Sequence, residues 1–399
     1  MTERLTLADI LAPMSEEEFF AEHYDKKPAH IEGGADKFRD VMNFETLNAL
    51  LNMRTIWSPD SLMMVMDRTR VPAAQFFRRD HDVGGGWTET PDPAAVTGLI
   101  RQGASLVANG VENMTEGLRQ VADAIEEALA ATVQANIYYS GKQRQAFTSH
   151  FDTHEVFAMH VAGEKRWRLY ETRLPHPIYH PKFMQVSDAQ HEAQRGGLYQ
   201  EVLLKPGDLL YIPRGWYHDA LASSDASLHL AVGATGTIGI DAIDALREAM
   251  IDDEAFRLNR PRPAEGREAV KRWLADLGDR LKRTAEADAF VDAFLAHQDE
   301  TRKPRGGFAL PTPPEAIRFT RRRDDLSVQD RQGTPVLRAR EGDQRIPPTL
   351  KPPLAWILQR RAFDRADLLT AFPDQPVQTL DEVLRKLEAM KAIERTAGA

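Results

Sequence analysis

Two imidazoles and a carboxylate stand out as groups able to do chemistry in this chain: His150 and Asp152, separated by Phe151, and the distant His218. Two histidines and one carboxylate suit a divalent iron, held on one face with the opposite face left open. The His-x-acid spacing alone is weak, since it recurs at His23-Tyr24-Asp25, His30-Ile31-Glu32 and His297-Gln298-Asp299. Context separates them. His23 and His297 fall in helix-like runs, where residues i and i+2 face different ways; on a strand they share a face. His30-Ile31-Glu32 reads as a strand, but no distant histidine in a comparable setting completes it.

The flanking sequence supplies the strands. Glu155 to Val161 is a short apolar run, Gly163-Glu164 a turn, and Lys165 to Tyr170 alternates polar and apolar, which reads as a β-hairpin. Lys205-Pro206-Gly207-Asp208 is a turn, Leu209 to Ile212 a buried strand, Pro213-Arg214-Gly215 a second turn, and His218 opens the next strand. Adjacent antiparallel strands would bring His218 to His150 and Asp152. Lys165 begins a strand in an otherwise apolar pattern. It reads either as a solvated hairpin end or as a buried cation that anchors a cosubstrate carboxylate.

Residues Asn136 to Gly233 resemble the JmjC (cupin-type) iron and 2-oxoglutarate oxygenases, on three segments. These are His150-Phe151-Asp152, Gly163-Glu164-Lys165-Arg166-Trp167-Arg168, and Gly207-Asp208-Leu209-Leu210-Tyr211-Ile212-Pro213-Arg214-Gly215-Trp216-Tyr217-His218. Within that superfamily the stretch is most similar to the ribosomal oxygenases, which include bacterial arginine and human histidine hydroxylases of ribosomal proteins. The resemblance implies His150, Asp152 and His218 as iron ligands and Lys165 as the partner of the distal carboxylate of 2-oxoglutarate. Some bacterial relatives carry arginine at that position, and lysine resembles the human enzymes. Asn136 and Tyr138 match a strand lining the cosubstrate and substrate pocket. The implied cofactor is Fe(II), with 2-oxoglutarate and O2 as cosubstrates.

Around this centre the expected fold is α+β: a double-stranded β-helix (jelly-roll, cupin) JmjC barrel with flanking helices, a helical dimerisation region and a C-terminal winged-helix-like domain. The boundaries fall at 1–238 for N-terminal helices plus barrel, 239–301 for the dimerisation region and 302–399 for the last domain. Leu5 to Ile31 reads as helices, with a capping box from Ser15 to Glu18. Phe44–Met53, Pro93–Gln102 and Met114–Ala131 read as further helices, and Ser61–Arg68 and Ser105–Val111 as strands. Asp82-Val83-Gly84-Gly85-Gly86 is a loop without the Lys-Ser/Thr of a phosphate cradle. His154 reads as an outer-layer or exposed group rather than a ligand, and His160 and His229 as satisfied core histidines. Glu171 to Gln200, rich in His, Pro and Gly, reads as a connection able to act as a mobile flap over the site. Ile240–Leu258 and Glu265–His297 are amphipathic helical runs, and in the related oxygenases such a region dimerises, so a homodimer is expected. Arg302–Pro313 reads as a linker. Beyond it, strands at Ala316–Thr320 and Pro335–Arg340 and helices at Pro352–Arg360, Asp364–Phe372 and Thr379–Met390 suit a winged helix.

The chain contains no cysteine, which excludes disulfides and cysteine-based zinc modules. No leading signal pattern or long apolar run is present, so a cytoplasmic location is expected. Residues 301–399 carry about +6 against −9 for the whole chain, leaving about −15 for residues 1–300. An acidic catalytic portion suits a basic protein substrate such as a ribosomal protein. The Arg321-Arg322-Arg323 cluster is followed at once by Asp324-Asp325, and the last helix carries Asp381, Glu382 and Glu388, which argues against nucleic-acid binding. The sequence reading is therefore a protein hydroxylase. The alternatives are a 2-oxoglutarate oxygenase acting on another peptide or a small molecule, lysine demethylation included, and a non-enzymatic cupin-like regulator using its winged helix.

Overall fold

In the computed structural model of the protein, the described residues are 4–81, 84–141, 148–224, 226–301, 317–340 and 342–397, without the side chains of 80, 297–301, 396 and 397. The chain forms two compact units, Met1–Gly306 and Gly307–Ala399. Among the described residues no helix is long and apolar enough to cross a membrane.

The first unit is built on two antiparallel sheets. Its strands are β1 (Ala29–Ile31), β2 (Leu62–Met66), β3 (Thr69–Arg70), β4 (Phe77–His81), β5 (Trp87–Pro91), β6 (Ser105–Asn109), β7 (Ala131–Gly141), β8 (Glu155–Ala162), β9 (Lys165–Arg173), β10 (Leu198–Leu204), β11 (Leu209–Ile212), β12 (Trp216–Ala222) and β13 (Ala226–Gly236). The large sheet runs β1-β11-β8-β13-β7-β6-β2-β3, the small one β10-β9-β12, and β4 and β5 pair separately. Alternation along β8 and β11 explains why both faces are apolar. Phe157, Met159, Leu209 and Tyr211 join the main core, while Val156, Ala158, Leu210 and Ile212 join a second core with Trp167 and Leu169 of β9. A strand's period of two puts such residues on opposite faces, so these strands are buried on both sides. Helices α1 (Leu7–Leu11), α2 (Glu16–Glu18), α3 (Phe44–Asn52), α4 (Pro93–Arg101) and α5 (Glu116–Leu129) contribute to this unit, and α5 packs Leu118, Val121, Ala122 and Ile125 into the main core.

Several expectations need correction. β8 and β9 are not a hairpin: β8 pairs with β11 and β13, and β9 with β10 and β12. The turn between them carries the chain from one sheet to the other, and Gly163 makes it possible. Its φ is +71°, and a Cβ there would sit 1.9 Å from the Ala226 carbonyl oxygen. Leu5 to Ile31 is not all helix. The helical part ends with a π-turn at Phe19–His23, and Ala29–Ile31 pairs with β11. In the capping box only the Glu18 amide to Ser15 Oγ half forms, at 3.1 Å. The stretch Glu171–Gln200 is also more regular than its composition suggests. It completes β9, forms α6 (Pro181–Met184) and α7 (Asp188–Gln194), and begins β10.

After β13 come α8 (Gly239–Ala249), a short 3-10 turn at Glu254–Arg257, α9 (Gly266–Ala285) and α10 (Asp288–Thr301). The second expected helical run is thus interrupted at Glu286 and Ala287. Arg280 of α9 bonds Asp253 at 3.2 Å, tying the pieces together. The expected linker Arg302–Pro313 and the loop residues Asp82 and Val83 lie outside the described residues.

The second unit has strands β14 (Ile317–Arg321), β15 (Ser327–Arg331), β16 (Thr334–Ala339), β17 (Gly342–Arg345), β18 (Ala362–Asp364) and β19 (Ile393–Ala397). They form sheets β18-β14-β19 and β15-β16-β17. Helices α11 (Lys351–Leu358), α12 (Arg365–Ala371) and α13 (Val377–Ala389) cover a core of Phe319, Leu354, Ile357, Leu368, Leu380 and Leu384.

Candidate metal centre

His150 and His218 meet across a two-residue antiparallel bridge. The His150 amide donates to the His218 carbonyl at 3.0 Å and the His218 amide to the His150 carbonyl at 2.8 Å. The Gly215 amide donates to the Asp152 carbonyl at 2.8 Å, one residue out of the bridge's register, and ties the Asp152 segment to the turn before β12. His150 and Asp152 therefore lie on an extended segment rather than in a full strand, and His218 sits inside β12. Side-chain ligand atoms of His150, Asp152 and His218 all lie within 4.8 Å of one another.

Backbone carbonyls fix the two rings. His150 Nδ1 is 2.8 Å from the Thr148 carbonyl and His218 Nδ1 is 3.0 Å from that of Trp216. A carbonyl only accepts, so each Nδ1 carries its proton and each neutral Nε2 keeps a lone pair, the tautomer a metal ligand needs. Burial pulls His218 down to about 4, helped by nearby His150 and opposed by Asp152. Burial also pushes the Asp152 carboxyl up, but attraction to His150, His154 and His218 outweighs it and leaves Asp152 below the ordinary carboxylate value. Neutral imidazole and ionised carboxylate are the states that bind cations.

The three groups open onto a cavity of about 290 Å³ between the two sheets. Its walls are the inward residues of β7 (Thr132, Gln134, Asn136, Tyr138) and β13 (His229, Ala231, Gly233, Thr235), together with Lys165, Trp167 and His154. Lys165 is 5% exposed and contacts the rings of Tyr138 and Trp167 at 5.7 and 5.8 Å. It makes no ion pair among the described residues, and burial lowers it to about 7. The solvated hairpin end is thus excluded. Asn136 and Tyr138 line the same cavity. Trp167 Nε1 and His229 Nδ1 are buried without hydrogen-bond partners among the described residues.

The other histidines sort differently. His23 Nδ1 is 3.1 Å from the Pro28 carbonyl, a local brace, and His30 Nε2 is 3.3 Å from Asp208, which ties β1 to the turn before β11. The side chains of His297, Gln298 and Asp299 lie outside the described residues. His160 and His229 are core residues, but they are not satisfied: each has an unpaired Nδ1 among the described residues, and burial keeps both neutral. Sequence reading missed that His229 lines the cavity on the same β7–β13 rung as Tyr138. The period-two series Thr132, Gln134, Asn136, Tyr138 was the available signal.

A two-sheet antiparallel β-helix with two histidines and a carboxylate converging between the sheets defines the class: a cupin-fold protein with a 2-His-1-carboxylate constellation. Residues 108–239, about a third of the chain, match the JmjC domain. The chain is 28% identical over 238 residues to the bifunctional lysine-specific demethylase and histidyl-hydroxylase NO66 of Drosophila persimilis, covering 57% of this chain and 31% of that protein. It is 24% identical over 300 residues to ribosomal oxygenase 1 of Danio rerio, covering 72% of this chain and 50% of that one. The chain thus spans half or less of the length of these two relatives. Among solved structures, Escherichia coli YcfD superposes with a TM-score of 0.51 at 19% identity, over 96% of this chain and 98% of that one. YcfD in complex with cobalt and 2-oxoglutarate gives 0.50 at 17% identity, over 96% and 99%.

Proposed function

We propose that this protein is an Fe(II)- and 2-oxoglutarate-dependent hydroxylase of a protein substrate, most simply a ribosomal protein. One observation carries the reading: a single cavity holds the His150, Asp152 and His218 cluster and, on the same lining, a buried lysine without an ion pair among the described residues. The residues present fit both groups. The cluster offers two lone-pair nitrogens and an ionised carboxylate. Lys165, with Trp167 Nε1 beside it and unpartnered among the described residues, offers donors where a dicarboxylic acid needs a distal anchor.

Iron, 2-oxoglutarate and O2 together supply an oxidation in which the keto acid loses CO2 to become succinate and one oxygen atom enters an unactivated C–H bond. The chain does the rest. His150, Asp152 and His218 would hold the metal in tautomers set by the Thr148 and Trp216 carbonyls. Lys165 would orient the cosubstrate, and Tyr138, Trp167 and Ala231 wall off water. Support for a ribosomal substrate comes from the names of the relatives and from the acidic balance of residues 1–300. In the same reading, residues 1–238, 239–301 and 302–399 act as catalytic, dimerising and protein-docking parts, the last as a winged-helix-like module, and the enzyme works in the cytoplasm as a homodimer without binding nucleic acid.

The test uses ribosomal proteins from a strain lacking this enzyme, incubated with the enzyme, Fe(II), 2-oxoglutarate and air, and read by intact mass. One protein gains a single oxygen atom with the wild type and none does with His218→Ala. Succinate formation without any modified ribosomal protein would keep the oxygenase and remove the ribosome, while absence of both would remove the oxygenase.

A further inference from the structure

We propose that His154 is a specificity-determining residue, accepting a hydrogen bond from a side-chain N–H of the residue to be oxidised. This rests on the hydroxylase reading above. His154 lies just before β8 and lines the cavity. Its Nδ1 is 3.1 Å from the Glu155 carbonyl, so Nδ1 carries the proton and, in the neutral ring, Nε2 is an acceptor. Nε2 has no hydrogen-bond partner among the described residues.

The ring's seat is built for it. A Cβ on Gly233 would lie 2.7 Å from His154 Cε1 and 2.8 Å from Nδ1. Gly233 pairs with Gln134 and Val156 inside the sheet and has no positive φ, so its backbone does not require glycine. What the missing side chain provides is room for the imidazole.

Position decides what His154 meets. The rungs of β7 and β13 run Tyr138–His229, Asn136–Ala231, Gln134–Gly233 and Thr132–Thr235. Lys165 sits at the first rung, against Tyr138, and His154 at the third. Four residues of strand separate them, roughly 13 Å. The cosubstrate anchor and His154 are therefore at opposite ends of the cavity, and His154 shares its end with Gln134, Thr132 and Thr235. These are hydrogen-bonding groups without fixed charge. A purely aliphatic target would leave the Nε2 lone pair unanswered, whereas an amide, imidazole or guanidinium N–H would answer it.

The experiment compares wild type, His154→Leu, His154→Gln and Gly233→Ala on ribosomal proteins from a strain lacking the enzyme, with Fe(II) and 2-oxoglutarate. His154→Leu is expected to raise the KM for the modified protein about tenfold or more, with a smaller fall in kcat. Gly233→Ala keeps the imidazole but displaces it, and is expected to move KM the same way. His154→Gln, which restores an acceptor, recovers most of the loss. Co(II) affinity by calorimetry stays within about twofold in all four, separating a substrate contact from a damaged metal site. A wild-type KM in His154→Leu, or a modified residue lacking a side-chain N–H, would overturn the proposal. A wild type that forms no succinate would instead overturn the hydroxylase reading beneath it.

Discussion

Lys165 is the residue whose environment is most at odds with its charge, and that makes it measurable. Burial lowers it from 10.5 to about 7. Between those values the unfolded chain binds more protons than the folded one, so this group makes stability rise with pH across pH 7 to 10.5. Lys165→Met keeps the stem and removes the titration. The melting temperature of the wild type relative to Lys165→Met should therefore climb from pH 7 to pH 10, and a flat difference would contradict the burial. A bound dicarboxylate favours the charged form, so 2-oxoglutarate affinity should weaken as pH rises above about 7 in the wild type. Lys165→Ala should raise the 2-oxoglutarate requirement about 30- to 100-fold, the worth of a charge-assisted hydrogen bond, with iron affinity little changed. Equal losses in both would remove the anchor role. In sequence this residue stood between a solvated hairpin end and a buried anchor, and the resemblance favoured the anchor; its burial in the structure removes the first reading. The tautomers of His150 and His218 were not legible, since they depend on the carbonyls of Thr148 and Trp216, two residues before each ring.

At the scale of elements, the segments bearing the candidate ligands are locked from behind. Ser149 and Asp219, the neighbours of His150 and His218, meet at 2.8 Å, and Tyr170 donates to the same Asp219 oxygen at 2.5 Å. Helix α7 closes over this layer, with His191 against Phe151 and Tyr217, and Gln194 accepting from the Tyr217 hydroxyl at 3.0 Å. The sequence suggested a flap over the cavity. In the structure this connection braces the ligand segments, because alternation turns Phe151 and Tyr217 away from the side that His150 and His218 occupy. Composition showed a loop rich in His and Pro; which face of the barrel it covers is a tertiary property. The same limit produced the false hairpin, since an apolar run, a Gly turn and an alternating run look alike whether the second strand folds back or crosses to another sheet. Gly163→Ala tests the crossing. With φ +71° and a carbonyl oxygen 1.9 Å from the new Cβ, the backbone must move, and the expected cost is about 3 kcal/mol or more. Gly85→Ala, at φ +82° with nothing within 4 Å, should cost about 1 kcal/mol. Denaturant melts of the two variants separate steric crossing from simple left-handed strain.

For the whole molecule, the helices that follow the barrel pose the remaining physical question. Within α8, α9, α10 and the turns between them, Ile240, Ile243, Ile251, Leu258, Leu274, Val291 and Leu295 are all more than 40% exposed. Single exposed apolar residues are ordinary, but seven in about 55 residues of one region need a cover. α8 and α9 show why the region does not cover itself: neither contains a buried residue. A groove lined by Ile243, Leu246, Met250, Phe256 and Leu281 runs between them. A second copy of the chain would supply the same apolar surface in self-complementary form, which is what a twofold interface requires. The expected outcome is a dimer by light scattering at micromolar concentration. Ile243→Asp together with Leu274→Asp should shift it to monomer, since burying two unpaired carboxylates would cost several kcal/mol of association. The barrel core is built from other residues, so the cavity and its Co(II) affinity should survive in the monomer. A wild type that runs as a monomer would leave these seven side chains in water and send the search for their cover to the protein substrate.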